Sequence, residues 1–168
     1  KGFNNQDKDI IRHVIDSGKG LIIVVNKWDL LEKDTHTQNE YLQDIKDQYP
    51  VLGYYPTLFI SVSHNFRIRE VLKMTLAVFN ERKKKIKTAD VNEFIKKAIS
   101  YHSPPLIKGK NINIKYGAQV YHSPPIFAFF TNQPSAIPVQ YKRYMENSLR
   151  DHFGFEGVPI KISFRKNK

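Results

Sequence analysis

The sequence contains no cysteine, which excludes disulfide bonds and thiolate metal sites. It has no run of about 18 apolar residues and no recognisable signal peptide, so we expect no segment that spans or crosses a membrane. Its six histidines are scattered without an i,i+4 pair, which is typical of solvated or packed side chains rather than of metal ligands. The phosphate-binding motif G-x-x-x-x-G-K-[ST], followed by a D-x-x-G, is also absent.

The composition and charge indicate a basic protein with modest cores. Apolar residues make up 40% of the 168, and the mean hydropathy is −0.49, so we predict a soluble cytoplasmic protein. Residues 1–80 carry ten basic and ten acidic side chains, whereas residues 81–168 carry seventeen and six, which places the whole net charge of +11 in the second half. That asymmetry predicts a polyanion-binding domain, with a merely solvated basic surface as the alternative.

The most informative segment is residues 20–29, a β-branched run that ends in Asn-Lys-Trp-Asp. Such a run favours a central parallel strand, and ligands bind at the carboxyl ends of these strands. The Asp29 carboxylate can accept hydrogen bonds from N1–H and N2–H of guanine, but adenine offers an acceptor at N1 and would leave it unpaired. Asn26 would tie the loop together, and the stem of Lys27 would cover one base face. The alternative is a buried strand followed by a polar turn.

A second apolar segment, residues 57–61, ends in Ser-Val-Ser. It occupies the place at which Ras-like GTPases carry a Ser-Ala-Lys type loop, whose backbone N–H meets guanine O6. Here Ser61 and Val62 take that place, and Val62 retains the N–H but adds bulk near the base. We therefore predict that Asn26, Lys27, Asp29, Ser61 and Val62 form a guanine-binding site.

Five segments along the chain carry a specific resemblance: residues 5–8, 24–30, 104–110, 144–147 and 153–157. Their order resembles the Der (EngA) family of bacterial GTPases, which have two tandem GTPase domains followed by a KH-like domain. The resemblance implies that residues 1–85 end the second GTPase domain and that residues 86–168 form the KH-like domain. It also implies a C-terminal fragment whose phosphate-binding loop, switches and catalytic residues lie outside this chain.

The same resemblance implies the activity and the partners. The complete protein would bind GTP or GDP with Mg²⁺, hydrolyse GTP and assist assembly of the large ribosomal subunit by contacting ribosomal RNA and its own preceding GTPase domains. We expect this chain to bind no cofactor by itself. The alternative is a non-catalytic module that binds RNA or protein.

The predicted fold class is α/β: the C-terminal half of a Ras-like P-loop GTPase sheet, followed by an α-β-β-α-β KH-like domain of the α+β class. In the first part, apolar periodicity predicts helices over 5–17, 39–48 and 67–82 and strands over 21–25 and 57–61. The inward face of the last helix is predicted to carry Ile68, Val71, Leu72, Leu76 and Phe79. Without a further partner, the strand at 21–25 would be an exposed edge.

In the second part, Asp90 and Glu93 resemble a capping box that opens a helix. Strands are predicted around 112–120, 126–131 and 160–164, with a helix from Pro138 to Phe153. Alternation predicts that Ile112, Ile114, Tyr116, Ala118 and Val120 share the apolar face. Residues 154–157 fit the letters G-x-x-G, but a strand follows them and Glu156 is acidic, so we predict a turn rather than a KH nucleic-acid clamp.

The predicted RNA contacts are basic side chains of two groups. Lys115, Lys161 and Arg165 are expected on the polar sheet face, whereas Tyr116 is expected to pack rather than to stack on a base. Lys83, Lys84 and Lys85 lie in the linker between the two parts, where the alternative is that cations cap a helix C-terminus.

Overall fold

The computed structural model describes residues 3–30, 37–106, 109 and 111–167. Ile107, Lys108 and Lys110 of the resemblance segment 104–110 lie outside the described residues. The chain forms two compact units, one of Lys1–Glu81 with Glu156–Pro159 and the other of Arg82–Phe155 with Ile160–Lys168.

The first unit alternates helices and strands. They are α1 (Asn5–Asp16), β1 (Ile23–Val25), α2 (Thr37–Gln48), β2 (Thr57–Phe59) and α3 (Ile68–Arg82). The two strands pair in parallel, with Val24 opposite Leu58. This succession is the one predicted, and the α/β class is confirmed.

Local signals explain where α1 begins and ends. Asn4 caps it through a capping box, in which its side chain accepts from backbone N–H groups while Asp7 accepts from the Asn4 N–H. The helix stops before Gly18, whose positive φ of 67° lets the chain turn away. Ile11 of this helix is buried in a core with Ile45 and Leu52.

Helix α3 differs from the prediction in the face that it buries. Val78 is buried and Ile68 and Val71 are partly buried, but Leu72, Leu76 and Phe79 are exposed. The prediction was therefore wrong for those three residues. Two apolar stripes run along this helix, and periodicity alone does not say which of them meets the sheet.

The second unit is α4 (Thr88–Tyr101), β3 (Ile114–His122), β4 (Pro125–Thr131), α5 (Val139–Phe153) and β5 (Lys161–Lys166). The sheet order is β3-β4-β5, antiparallel between the first pair and parallel between the second. Both helices pack on one face, where Phe94 of α4 and Met145 of α5 are buried with Phe127 and Phe129 of β4. The predicted α-β-β-α-β arrangement is confirmed.

The prediction for the start of α4 was wrong, whereas the prediction for residues 154–157 is confirmed. Helix α4 begins at Thr88 after Lys87, with no side-chain cap, so the capping box at Asp90 was wrong. Residues 154–157 form the predicted turn: Gly154 and Gly157 have positive φ angles, and β5 follows instead of a helix.

Candidate functional site

Asn26 joins the ends of the two strands of the first unit. Its Oδ1 accepts hydrogen bonds from the backbone N–H groups of Lys27 at 2.7 Å and Val62 at 3.2 Å. The bond to Lys27 accompanies a left-handed backbone there, with φ of 61°. One side chain thus holds together two loops that are 36 residues apart in sequence, which is the tie that the sequence predicts.

Trp28 anchors the segment that carries Asp29. Its ring is buried, with its centroid 4.3 Å from that of the Phe59 ring, and the backbone N–H of Trp28 donates to the Ile60 carbonyl at 3.0 Å. Asp29 follows within a 3-10 helix, Trp28–Leu30. Because the tryptophan fastens this turn to the end of β2, the Asp29 carboxylate is held at the carboxyl edge of the two strands.

The second loop surrounds the buried Ser61. The Ser61 hydroxyl lies 3.0 Å from the Ser63 hydroxyl and accepts from the His64 N–H at 3.2 Å. Ser61 and Phe66 also exchange two backbone hydrogen bonds, of 3.2 and 2.8 Å. The loop is therefore a closed turn that presents the backbone of Val62 toward Asn26.

His64 is a site residue that sequence reasoning missed. Its Nδ1 lies 3.4 Å from Asp29 Oδ2, and its side chain is 68% exposed against 19% for Asp29. No spacing signal links the two, because the contact forms only when the strand ends meet. A carboxylate, a backbone N–H and a bridging amide thus converge at one edge, and together they suit the polar edge of a purine.

Lys161 and Arg165 of the second unit lie on the face of its sheet opposite the helices. Residues paired across a sheet share a face, and the pairing sets up three rows on this outer sheet face. The rows are Tyr121–Ile126–Lys161, Ala118–Ala128–Ser163 and Tyr116–Phe130–Arg165. Lys161 and Arg165 are exposed, as predicted for the polar face.

Two irregularities in β3 decide which of its side chains belong to this face. The register shifts between Ile114 and Tyr116 and again between Gln119 and Tyr121. Each extra residue reverses the alternation, so Ile114 is buried whereas Tyr116 is 41% exposed. The packing prediction for Tyr116 was wrong, because a strand without bulges was assumed. Lys115 lies within the first irregularity and is exposed.

The linker lysines have different surroundings. Lys84 donates from Nζ to the Phe153 carbonyl at 2.6 Å and lies 5.6 Å above the Phe155 ring. It therefore caps the C-terminus of α5, which corresponds to the capping alternative, although on a different helix. Lys83 and Lys85 are exposed.

Both parts of the chain are similar in sequence to known proteins. Residues 85–165 match a family described as the KH-domain-like domain of EngA bacterial GTPase enzymes, C-terminal. The whole chain is similar to GTPase Der of Halothermothrix orenii, at 42% identity over 99% of the chain, and to GTPase Der of Moorella thermoacetica, at 39% over 100%. The predicted resemblance to Der is confirmed.

The chain spans 38% of the length of these two relatives. Within the described residues, no group of three histidine, aspartate or glutamate side chains is placed to hold a metal ion. None of the helices in the described ranges is long and apolar enough to span a membrane.

Proposed function

We propose that this chain supplies guanine recognition and a basic KH-like domain to a cytoplasmic GTP-hydrolysing protein that assists assembly of the large ribosomal subunit. In this proposal residues 1–85 end the second GTPase domain, and residues 86–168 are the KH-like domain. GTP or GDP is bound with Mg²⁺ through phosphate and catalytic residues outside these 168. Similarity to proteins named GTPase Der supports the GTPase part.

The observation that carries the guanine proposal is the bridge from Asn26 to Val62 beside Asp29. In the proposed complex Asp29 accepts from N1–H and N2–H of the base, and the Lys27 stem covers a base face. The Val62 N–H, which Asn26 holds at this edge in the free chain, exchanges that bond for one to O6. Ser61 keeps the second loop in shape. Adenine would leave buried polar groups without partners and would therefore be rejected strongly.

An exchange of Asp29 for Asn tests this in the complete gene product that contains these residues. The asparagine oxygen still accepts from N1–H, but its NH₂ group meets the N2–H₂ of guanine and can instead donate to O2 of xanthine. We expect Asp29→Asn to weaken GDP binding by 100-fold or more, on the order expected when a buried polar partner is mismatched, and to tighten XDP binding.

The matched control is Asp29→Ala, which should lose GDP without gaining XDP. Unchanged preference for GDP in Asp29→Asn would contradict the proposal. So would an intact reading frame that begins at Lys1 with no phosphate-binding loop encoded before it.

A second candidate function is that of a non-catalytic module that binds RNA or protein. It is favoured by the net charge of +11, all of which lies in residues 81–168. For an RNA contact, Lys161, Arg165 and Lys115 face phosphates, with Lys83 and Lys85 as further contacts and Lys84 partly engaged with α5. RNA affinity should then fall steeply with salt, whereas binding that does not depend on salt would favour protein docking.

A further inference from the structure

The outer sheet face combines exposed aromatic rings with cations. Tyr121 is 55% and Tyr116 41% exposed. The Tyr116 ring stacks on Phe130, with centroids 4.5 Å apart and planes 15° from parallel. The sequence predicts only the cations on this face, and Tyr116 reaches it through the first bulge in β3, which is a tertiary feature.

The rows of this face have a regular chemical order. The two outer rows each begin with a tyrosine on β3 and end with a cation on β5, Lys161 in one and Arg165 in the other. The middle row, Ala118–Ala128–Ser163, consists of small side chains, and Ala128 within it is fully buried. Neighbouring strands are about 4.8 Å apart, which places each cation about 10 Å across the sheet from its tyrosine.

The charge of this face is of one sign. None of the nine row positions is acidic, and the Arg165 Nε donates to the Ser163 hydroxyl at 3.3 Å, which orients the guanidinium along β5. A polyanion that crosses from β5 to β3 would meet cations first and rings afterwards. We propose that this face binds single-stranded RNA, with unpaired bases stacked on Tyr116 and Tyr121 and phosphates on Arg165 and Lys161.

Single-stranded RNA fits better than a duplex because duplex base faces are hidden in the stack, whereas unpaired bases can lie on aromatic side chains. The Tyr116–Phe130 stack is formed before any ligand arrives, so little side-chain freedom remains to be lost on binding. This inference rests on the proposed RNA role and adds to it the strand state of the RNA and the residues that contact bases.

The test measures binding of a fluorescent single-stranded 12-nucleotide RNA, and of the same sequence in a duplex, to the 168-residue chain at several salt concentrations. We expect tighter binding of the single strand. Base stacking on one ring is worth about fivefold to 150-fold in affinity, so Tyr116→Ala and Tyr121→Ala should each weaken binding within that range without changing its salt dependence. Tyr116→Phe should retain most of the affinity, because it keeps the ring.

Charge reversal should produce a different signature. The double variant Lys161→Glu, Arg165→Glu should lower the salt slope by about 1.4, since each phosphate contact to a single strand contributes about 0.7. The matched control for the two tyrosine variants is Tyr101→Ala. Tyr101 is 88% exposed and lies on α4 rather than on the sheet, so this exchange should leave the affinity unchanged. Circular dichroism of each variant verifies folding.

The outcomes separate two failures. If the alanine variants bind like the native chain while charge reversal weakens binding, the stacking proposal is overturned and the RNA role stands. Equal affinity for single strand and duplex likewise overturns it. If no RNA binds at any salt concentration, the RNA role itself fails, and a protein partner becomes the better explanation of this face.

Discussion

Asn26 accepts a hydrogen bond from the backbone of Val62 at 3.2 Å, across 36 residues of sequence. The exchange Asn26→Ala removes the side-chain oxygen that accepts from the backbone N–H groups of Val62 and Lys27. We expect a loss of about 1–2 kcal/mol of local stability. Faster amide hydrogen exchange over residues 61–66 would report it. Asn26→Asp retains an acceptor oxygen and should keep native exchange rates, and equal rates in all three proteins would refute the bridging role.

The 168-residue chain should not hydrolyse GTP. The proposed phosphate and catalytic residues lie outside it, and phosphate contacts supply much of the affinity for a nucleotide. We expect no release of phosphate above the uncatalysed rate and weak or no binding of GDP, as measured by colorimetric phosphate assay and calorimetry. GTP hydrolysis that persists after further purification of the chain would contradict this prediction.

The edge of β1 should cause self-association of this chain. Ile23 N–H and Val25 C=O bond toward the β2 side, to Pro56 and Ile60 respectively, so the backbone of Val24 is directed to the other edge. Unprotected edges pair with other chains, and we expect a concentration-dependent dimer in sedimentation equilibrium. Val24→Lys should shift it to monomer, whereas Val24→Thr should not. A native monomer at every concentration would contradict the prediction.

Gly117 is required because α4 approaches β3 closely. A Cβ there would lie 2.6 Å from Phe129 Cδ1 and 2.7 Å from Ile95 Cδ1, and the Asn92 side chain bonds both backbone groups of Gly117. We expect Gly117→Ala to lower the free energy of unfolding of this unit by about 1–3 kcal/mol. Amide hydrogen exchange in β3 and β4 measures this loss. Gly53→Ala, with open space around the new methyl group, should be nearly neutral; equal effects would disprove the packing argument.

Glu146 should make stability depend on pH. Burial raises the pKa of its carboxyl, against the opposing attraction of Arg150 and Arg143. A raised pKa in the folded state means that the protonated form is favoured, so its contribution is fully present below the unfolded pKa and is lost as pH rises through the folded pKa. Glu146→Gln should therefore be more stable than the native chain at pH 7, by less than about 1 kcal/mol. Urea denaturation of the two proteins measures this difference.

The same exchange of glutamate for glutamine should have the opposite effect on stability at Glu93. A hydrogen bond from Lys97 lowers the pKa of Glu93, so its contribution is present above the unfolded pKa and is lost as pH falls through the folded pKa. Glu93→Gln should thus lose stability at pH 7, although both exchanges add the same net charge. A shift in the same direction for both variants would mean that net charge, and not local burial, governs the result.

Local patterns in the sequence were sufficient for the α/β class, the order of elements and the tie that Asn26 makes between the two loops. Residues 20–29 combine a β-branched run with a polar end, and the parallel pairing of such runs brings their ends together. The charge asymmetry between the two halves was equally visible, because it depends on composition and not on geometry.

Tertiary structure decided the features that depend on which neighbour is present. Leu72 and Leu76 belong to one of two apolar stripes of α3, and only packing chose the other stripe for burial. The first bulge in β3 turned Tyr116 to the face of the β5 cations, against simple alternation, and the second returned Tyr121 to the same face. His64 met Asp29 because two strand ends converge. Periodicity is a property of one segment, whereas register shifts and cross-loop contacts are properties of pairs of segments, so no single segment encodes them.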